Sequence, residues 1–306
     1  EKMLEIFDLA RTVAKSSSTV LIQGESGTGK ELLARAIHDE SPRTDAPFIS
    51  VSCVSLTESL LESELFGHEK GAFTGATAIK RGKLELAQDG TLFLDEIGDI
   101  SLKLQMDLLR VLEQKEFRRV GGSDVIGINS RIIAATNRNL KAAIEEGRFR
   151  ADLYYRLNVI SIHIPPLREK KEDIPLLVDH FIEKFNIEMG KQIRGVSEGA
   201  MRILMDNEWP GNARELRNVV ERAMVIAKGN IITEADVIRP SAQGSANHWT
   251  KSLEEVEVEH IRAVLVENQW NIVRSAQMLG IDRVTLYNKI KKYDMKKEGA
   301  PPKSVE

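Results

Sequence analysis

Seven residues near the start of the chain, Gly24-Glu25-Ser26-Gly27-Thr28-Gly29-Lys30, restrict the choice of fold more than any other stretch. They follow a short apolar run at 19–22 and open a helical pattern at 31–39, the strand-loop-helix setting in which a G-x-x-x-x-G-K spacing becomes a phosphate cradle. Glycines let the loop bend so that backbone N–H groups and the start of the next helix face an anion, while the Lys30 ammonium lies against the outer phosphate oxygens. An ordinary glycine-rich turn needs neither the lysine nor both flanking elements. Glu31 stands where such loops usually carry a hydroxyl for magnesium, so the metal must draw on Asp95, on water or, less favourably, on Thr28.

Further short apolar runs at 48–51, 91–94, 131–135 and 159–164 alternate with helical patterns such as 102–114, which predicts an α/β domain built on an open, mostly parallel sheet. Within it, 117–129 holds Gly121-Gly122 between short alternating runs, the signature of an inserted hairpin. After Pro165-Pro166 the strand signals stop and helical periods take over at 174–185, 198–205 and 213–227, with Pro210-Gly211 between the last two. Ser241-Ala242-Gln243-Gly244-Ser245-Ala246-Asn247 has the composition of a flexible linker, and the tail with Pro301-Pro302 lacks an apolar period. The expected division is an α/β part at 1–167, a small helical part at 168–240, a linker at 241–249, a C-terminal all-α domain at 250–297 and a disordered tail at 298–306.

A chain of 306 residues is long for one hydrophobic core, and 42% hydrophobic with 29% charged residues is a normal balance for folded domains in water. No run approaches the roughly 18 apolar residues of a membrane span, and the start lacks a signal-peptide pattern. The single cysteine, Cys53, excludes an internal disulfide and a cysteine zinc site and suits the reducing cytoplasm, where the protein is expected. The helical pattern at Leu4, Ile6, Phe7, Ala10 and Val13 begins at once, as in a piece of a longer protein.

Leu92-Phe93-Leu94-Asp95-Glu96 ends an apolar strand in paired carboxylates, as a Walker B element does. Such a pair alone is usually a solvated turn. Below a phosphate-binding loop, Asp95 is suited to hold magnesium through its water shell and Glu96 to orient and deprotonate an attacking water. Thr136-Asn137 closes the next strand, where the Asn137 amide either senses the γ-phosphate or simply forms a turn.

A formal charge of −3 offers nucleic acid no global attraction, so DNA binding would need a local patch. One exists: between Arg283 and Lys297 there are six lysines and arginines against one aspartate. The run from Asn271 fits a helix, a turn at Gly280 and a second helix capped by Asp282, with Ala276, Leu279, Ile281, Leu286 and Ile290 as the apolar interface. This leaves Arg283, Val284, Thr285, Asn288 and Lys289 for a DNA major groove and Lys292 among the lysines that hold phosphates. The alternative is a solvated basic helix. Leu253, Val256, His260, Ile261, Val264 and Leu265 mark a preceding amphipathic helix suited to pairing with a second copy, so dimeric readers of palindromic double-stranded DNA are expected.

With Gly71-Ala72-Phe73-Thr74-Gly75-Ala76, the residues resemble the AAA+ ATPase domain of sigma-54-dependent activators, also called bacterial enhancer-binding proteins. The similarity runs through Glu64-Leu65-Phe66-Gly67-His68-Glu69-Lys70, Phe149-Arg150-Ala151-Asp152-Leu153-Tyr154-Tyr155-Arg156-Leu157 and Trp209-Pro210-Gly211-Asn212-Ala213-Arg214-Glu215-Leu216, nearly all of 1–238. The last domain resembles the Fis-type helix-turn-helix. The resemblance implies ATP and Mg2+ as cofactors, hydrolysis in a homo-oligomeric ring of six or seven subunits, and sigma-54 RNA polymerase as the target. It implies that Gly71 to Ala76 contact sigma-54, with Phe73 and Thr74 foremost. By the same resemblance, Arg150 and Arg156 act across the subunit boundary on the γ-phosphate and Arg214 reaches the nucleotide from a helical lid; without it, the first two would read as surface ion pairs. The family often has Asn where Ser52 stands, which puts the restraint of Glu96 on a different footing here. A DNA-bound AAA+ motor acting on something else would share the loop and arginines but has no reason to carry Gly71 to Ala76. A DNA-binding regulator with a dead nucleotide site would lack Lys30, Asp95 and Glu96.

Overall fold

The computed structural model describes residues 2–54, 57–237, 253–268, 270–293 and 295. The expected linker at 241–249, the expected tail at 298–306, and Lys296 and Lys297 lie outside the described residues. The chain divides into two compact units, Glu1–Ile238 and Arg239–Glu306.

Five strands form the central sheet of the first unit: β1 (Val20–Gln23), β2 (Phe48–Ser52), β5 (Thr91–Asp95), β8 (Arg131–Thr136) and β9 (Ile160–His163), in the order β2-β5-β8-β1-β9. Every neighbouring pair is parallel. Helices cover both faces, so the inner strands read as continuous apolar runs. Their side chains nevertheless alternate between two cores. Leu21, Leu92, Leu94, Ile132 and Ala134 face one core, with α3 (Glu58–Phe66), α4 (Lys83–Ala87), α5 (Leu102–Gln114), α6 (Leu140–Glu145) and α7 (Ala151–Leu157). Val20, Ile22, Phe93, Ile133 and Ala135 face the other, with α1 (Lys2–Ala14) and α2 (Lys30–Asp39). Arg131, 2% exposed, donates to the carbonyls of Val13, Ala14 and Ser18, fastening the negative end of the α1 dipole to the sheet.

Two small hairpins project from this layer. Strands β3 (Gly67–His68) and β4 (Lys80–Arg81) bracket residues 69–79, and β6 (Glu116–Phe117) and β7 (Ile126–Gly127) form the hairpin expected at 117–129. A parallel bridge joins His68 to Val120.

The helical part comprises α8 (Ile174–Met189), α9 (Glu198–Asp206), α10 (Asn212–Ile226) and α11 (Glu234–Val237) around Val178, Phe185, Leu204, Trp209 and Leu216. Trp209 anchors it: the ring is 1% exposed and its indole N–H donates to the Leu204 carbonyl.

In the second unit, α12 (Leu253–Glu267), α13 (Ile272–Met278) and α14 (Arg283–Lys292) surround Ile261, Leu265, Ala276 and Leu286. Asn271 caps α13, and Asp282 caps α14 by accepting from the Thr285 N–H at 2.9 Å. Gly280 supplies the left-handed turn between them, with φ 66°. Among the described residues, no helix is long and apolar enough to cross a membrane.

Candidate functional site

The carboxyl ends of β1, β5 and β8 bring the sequence-distant candidates together. β1 runs directly into the loop, and the Gly24 N–H donates to the Thr136 carbonyl at the end of β8. Gly27 and Gly29 adopt left-handed φ values of 79° and 97°, and α2 starts immediately afterwards. Lys30 is 6% exposed; its ammonium donates to the carbonyls of Gly24 (3.0 Å) and Glu25 (3.3 Å) and lies 3.5 Å from Glu96 Oε1. The loop thus curls around its own lysine.

Glu96 is suspended between two elements. Its other oxygen, Oε2, accepts from the Asn137 backbone N–H at 3.1 Å, so the main chain of Asn137 holds the carboxylate. Asp95 Oδ1 accepts from the Glu96 N–H at 3.0 Å. Burial, and then the Glu96 charge, push the Asp95 carboxyl above its usual range, against the pull of Lys30. A carboxylate in that setting fits a divalent cation, which would relieve both effects. The Thr28 hydroxyl donates to the Glu25 carbonyl at 2.8 Å. Ser52 lies opposite Asp95 in the β2–β5 register.

The lid comes down on the other side of the loop. Arg214, in the first turn of α10, donates to Ser26 Oγ at 3.1 Å. Two residues that sequence reasoning passed over do more. Asn212, 1% exposed and left-handed at φ 52°, donates to the Ser26 carbonyl (3.0 Å) and to Glu25 Oε2 (3.1 Å). Arg168 grips both Glu25 oxygens, at 2.6 and 2.8 Å. Only a lone asparagine after Pro210-Gly211 hinted at this, since Asn tolerates left-handed backbone. Between α1, α2 and the lid opens a mainly apolar cleft of about 710 Å³, lined by Phe7, Leu33, Ile164, Leu167, Phe181 and Ala213 together with Thr28 and Gly29. A heterocyclic base attached to phosphates on the loop fits such a cleft.

Arg150 and Arg156 stand apart from this cluster. Arg150 precedes the first turn of α7 and pairs with Asp152, while the Arg156 guanidinium donates to the Leu112 carbonyl at 3.2 Å. Among the described hydrogen bonds, neither reaches the phosphate-binding loop.

Residues Gly71 to Ala76 form the tip between β3 and β4. The Gly71 N–H donates to the Ala76 carbonyl (2.8 Å) and the Ala76 N–H to the Phe73 carbonyl (3.0 Å), which closes the tip on itself. Phe73, 43% exposed, sets its ring edge-on against His68 at 4.9 Å. Arg119, on the neighbouring hairpin, donates to Glu85 (2.8 and 2.9 Å) and to Glu69 (2.8 Å), and Gly121 abuts Ala72 so closely that an added Cβ would lie 2.8 Å from it. These contacts join the two hairpins.

In the second unit, Arg283, Val284 and Asn288 project from α14 as exposed side chains, and so does Lys292, whose ammonium lies over the Tyr293 ring. Thr285 and Lys289 lie on the same helix, where the Thr285 hydroxyl donates to Asp282 and Lys289 is paired with Glu257 of α12. Tyr287, 60% exposed on the same helix, was not among the expected residues.

Three stretches match known families: residues 1–163 the sigma-54 interaction domain, residues 168–254 the AAA+ ATPase lid domain, and residues 252–293 the bacterial regulatory protein, Fis family. The Nif-specific regulatory protein of Herbaspirillum seropedicae is 58% identical over 232 residues, covering 76% of this chain and 43% of that protein. Regulatory protein AtoC of Escherichia coli is 48% identical over 304 residues, covering 95% of this chain and 66% of that protein. The chain thus spans 43% to 66% of the length of these two relatives. Among solved structures, NtrX from Brucella abortus in complex with ADP has a TM-score of 0.78 at 37% identity, over 95% of this chain and 67% of that one. The same protein in complex with ATP gives 0.77 at 36%, with the same coverage. The S. cerevisiae Hsp104-ADP complex, at 17% identity and a TM-score of 0.53 over 73% of this chain and 44% of that one, shares the fold.

Proposed function

This chain belongs to the family of sigma-54-dependent transcriptional activators, with an AAA+ ATPase domain and a Fis-type DNA-binding domain, and from that premise we propose that it hydrolyses ATP to remodel sigma-54 RNA polymerase while held at enhancer-like DNA. The residues fit the cofactors: a buried lysine inside a ring of loop carbonyls, a desolvated Asp95, and an apolar cleft beside them. Magnesium-bound ATP supplies the phosphoryl group and a divalent charge to offset the phosphates. Gly24 to Gly29 and the start of α2 offer N–H groups to the phosphates, Lys30 adds its ammonium, and Asp95 holds the metal's water shell. Glu31, exposed in the first turn of α2, is a neighbour of the site without a hydroxyl to contribute.

Glu96 takes the proton from the attacking water, held at the required place by Lys30 and the Asn137 amide. Arg150 and Arg156 bring positive charge to the neighbouring subunit's γ-phosphate, and Arg214 does so from the lid. These roles require a ring, six or seven subunits by the family pattern, acting in the cytoplasm. The paired hairpins carry Phe73 and Thr74 to sigma-54. α14 reads palindromic double-stranded DNA through Arg283, Val284, Thr285, Asn288 and Lys289, with Lys292 on the phosphates, and α12 pairs two copies.

The observation that carries this reading is the Glu96 carboxylate strung between Lys30 and Asn137 at the meeting of three strand ends, on the same domain as the Gly71 to Ala76 tip. The test is open-complex formation by purified sigma-54 polymerase on a matching promoter, with ATP, with a non-hydrolysable analogue and without nucleotide. Opening with ATP alone supports the reading. Turnover of ATP without opening points to an AAA+ motor with another substrate.

A further inference from the structure

Glu25 is an awkward residue for a phosphate-binding loop, because a carboxylate repels the ligand the loop exists to hold. Its position resolves the conflict. Both oxygens are engaged away from the lysine: Oε1 accepts from Arg168 at 2.6 Å, and Oε2 accepts from Arg168 at 2.8 Å and from Asn212 at 3.1 Å. Asn212 is fixed in turn, since its Oδ1 accepts from the Leu167 N–H at 2.7 Å and its Nδ2 also donates to the Ser26 carbonyl at 3.0 Å. Ser26 Oγ receives Arg214, and Gly27 approaches the lid so closely that a Cβ there would stand 2.3 Å from the Gly211 carbonyl oxygen. Residues 25, 26 and 27 therefore face the lid, while Lys30 faces the catalytic carboxylates.

We propose that the Glu25 side chain positions the loop rather than binding phosphate, and that with Arg168 and Asn212 it clamps the start of α10 onto the phosphate-binding loop, preorganising the cleft for the base and sugar of a nucleoside di- or triphosphate. The clamp fixes the lid before the nucleotide arrives, so less of the binding free energy is lost in ordering it. Arg168 has a second duty, to neutralise the carboxylate next to the phosphates. The proposal rests on the nucleotide-binding reading above and deepens it.

Two duties for one arginine give an uncommon mutational signature. Binding of a fluorescent ADP is measured for wild type, Glu25→Gln, Arg168→Ala and the double variant, each checked for an unchanged melting profile. Glu25→Gln should weaken binding about tenfold, chiefly through faster release, as expected for losing a charge-assisted pair at a half-exposed position. Arg168→Ala should weaken it further, because it strands a negative charge beside the phosphates, and the double variant should recover to the level of Glu25→Gln. In turnover assays the loss in kcat/KM should fall mainly on KM. Wild-type affinity in Glu25→Gln, simple additivity in the cycle, or a loss confined to kcat would each overturn the clamp.

A readout without nucleotide separates this from the broader reading. Spin labels at Glu40→Cys and Val225→Cys, both exposed sites while Cys53 is buried, report the spacing of α2 and α10. The clamp predicts a broader distance distribution in Glu25→Gln than in the labelled parent. An unchanged distribution overturns it even if ATP is hydrolysed normally, and failure of the parent to bind nucleotide would count against the ATPase reading alone.

Discussion

Glu96 occupies a left-handed backbone position (φ 54°, ψ 47°), a conformation that costs a non-glycine residue about 1–3 kcal/mol and persists only where its surroundings hold it. Lys30 and the Asn137 amide are those surroundings, so a neutral isostere should still be seated. Glu96→Gln is expected to bind nucleotide with little change and to hydrolyse it about 10²–10⁴-fold more slowly, as compared by fluorescent-nucleotide titration and phosphate release; an equal loss of binding would mean the carboxylate is structural. Glu25 makes a different prediction, about acid. Its hydrogen bonds to Arg168, then to Asn212, hold its pKa down to about 2 from the ordinary 4.5. A depressed carboxylate stabilises the fold fully above its unfolded-state pKa and loses that contribution as pH falls through the folded-state value. The stability gap between wild type and Glu25→Gln, about 1 kcal/mol for a partly exposed pair, should stay level from pH 7 to about 5 and close between about 4.5 and 2 in denaturant titrations. The convergence of Lys30, Asp95 and Glu96 was legible in the sequence because spacing and strand context place them at one end of the sheet. Arg168 and Asn212 were not, because their role exists only where the lid meets the loop.

Among the elements, the inner strands β1, β5 and β8 were readable because strands buried on both faces leave uninterrupted apolar runs, and the ends of all five sheet strands moved by only a residue or two once hydrogen bonding was seen. β3 and β4 escaped notice for the opposite reason. Each is two residues long, and what defines them is a close backbone approach: a Cβ on Gly67 would stand 2.4 Å from the Lys80 carbonyl oxygen. That pairing mounts Gly71 to Ala76 on a short stalk, and the Arg119 bridges to Glu69 and Glu85 tie the stalk to the β6–β7 hairpin. Phe73 rests on His68, and among the described ring contacts it meets none of Lys30, Asp95 and Glu96. Phe73→Ala should therefore leave ATP turnover within about twofold, as for a half-exposed side chain remote from the chemistry, and abolish open-complex formation in a promoter-opening assay. Normal activation by this variant would remove the tip from the sigma-54 contact.

At the scale of the whole molecule, one subunit gathers Lys30, Asp95, Glu96 and Arg214 around the phosphate-binding loop, yet Arg150, just before α7, and Arg156, within it, are engaged elsewhere, by Asp152 and by the Leu112 carbonyl. The family resemblance alone assigned Arg150 and Arg156 to a neighbouring subunit's γ-phosphate, because a contact between copies would leave no periodicity in one chain. In the proposed ring, head-to-tail association would make each catalytic site a composite, with Glu96 from one copy and Arg156 from the next. Two dead proteins should then make a live one. Glu96→Gln subunits lack a base but still lend their arginines; Arg156→Ala subunits keep the base but lend one arginine fewer. Mixed at equal concentration and allowed to exchange, they form random rings in which about a quarter of the interfaces pair an intact Glu96 with an intact Arg156. ATPase activity of the mixture should rise well above the sum of the two proteins assayed separately, and it should fall away on dilution as rings dissociate. If Arg156 instead serves its own subunit, every interface in the mixture is defective, and the activity stays at the sum at every concentration.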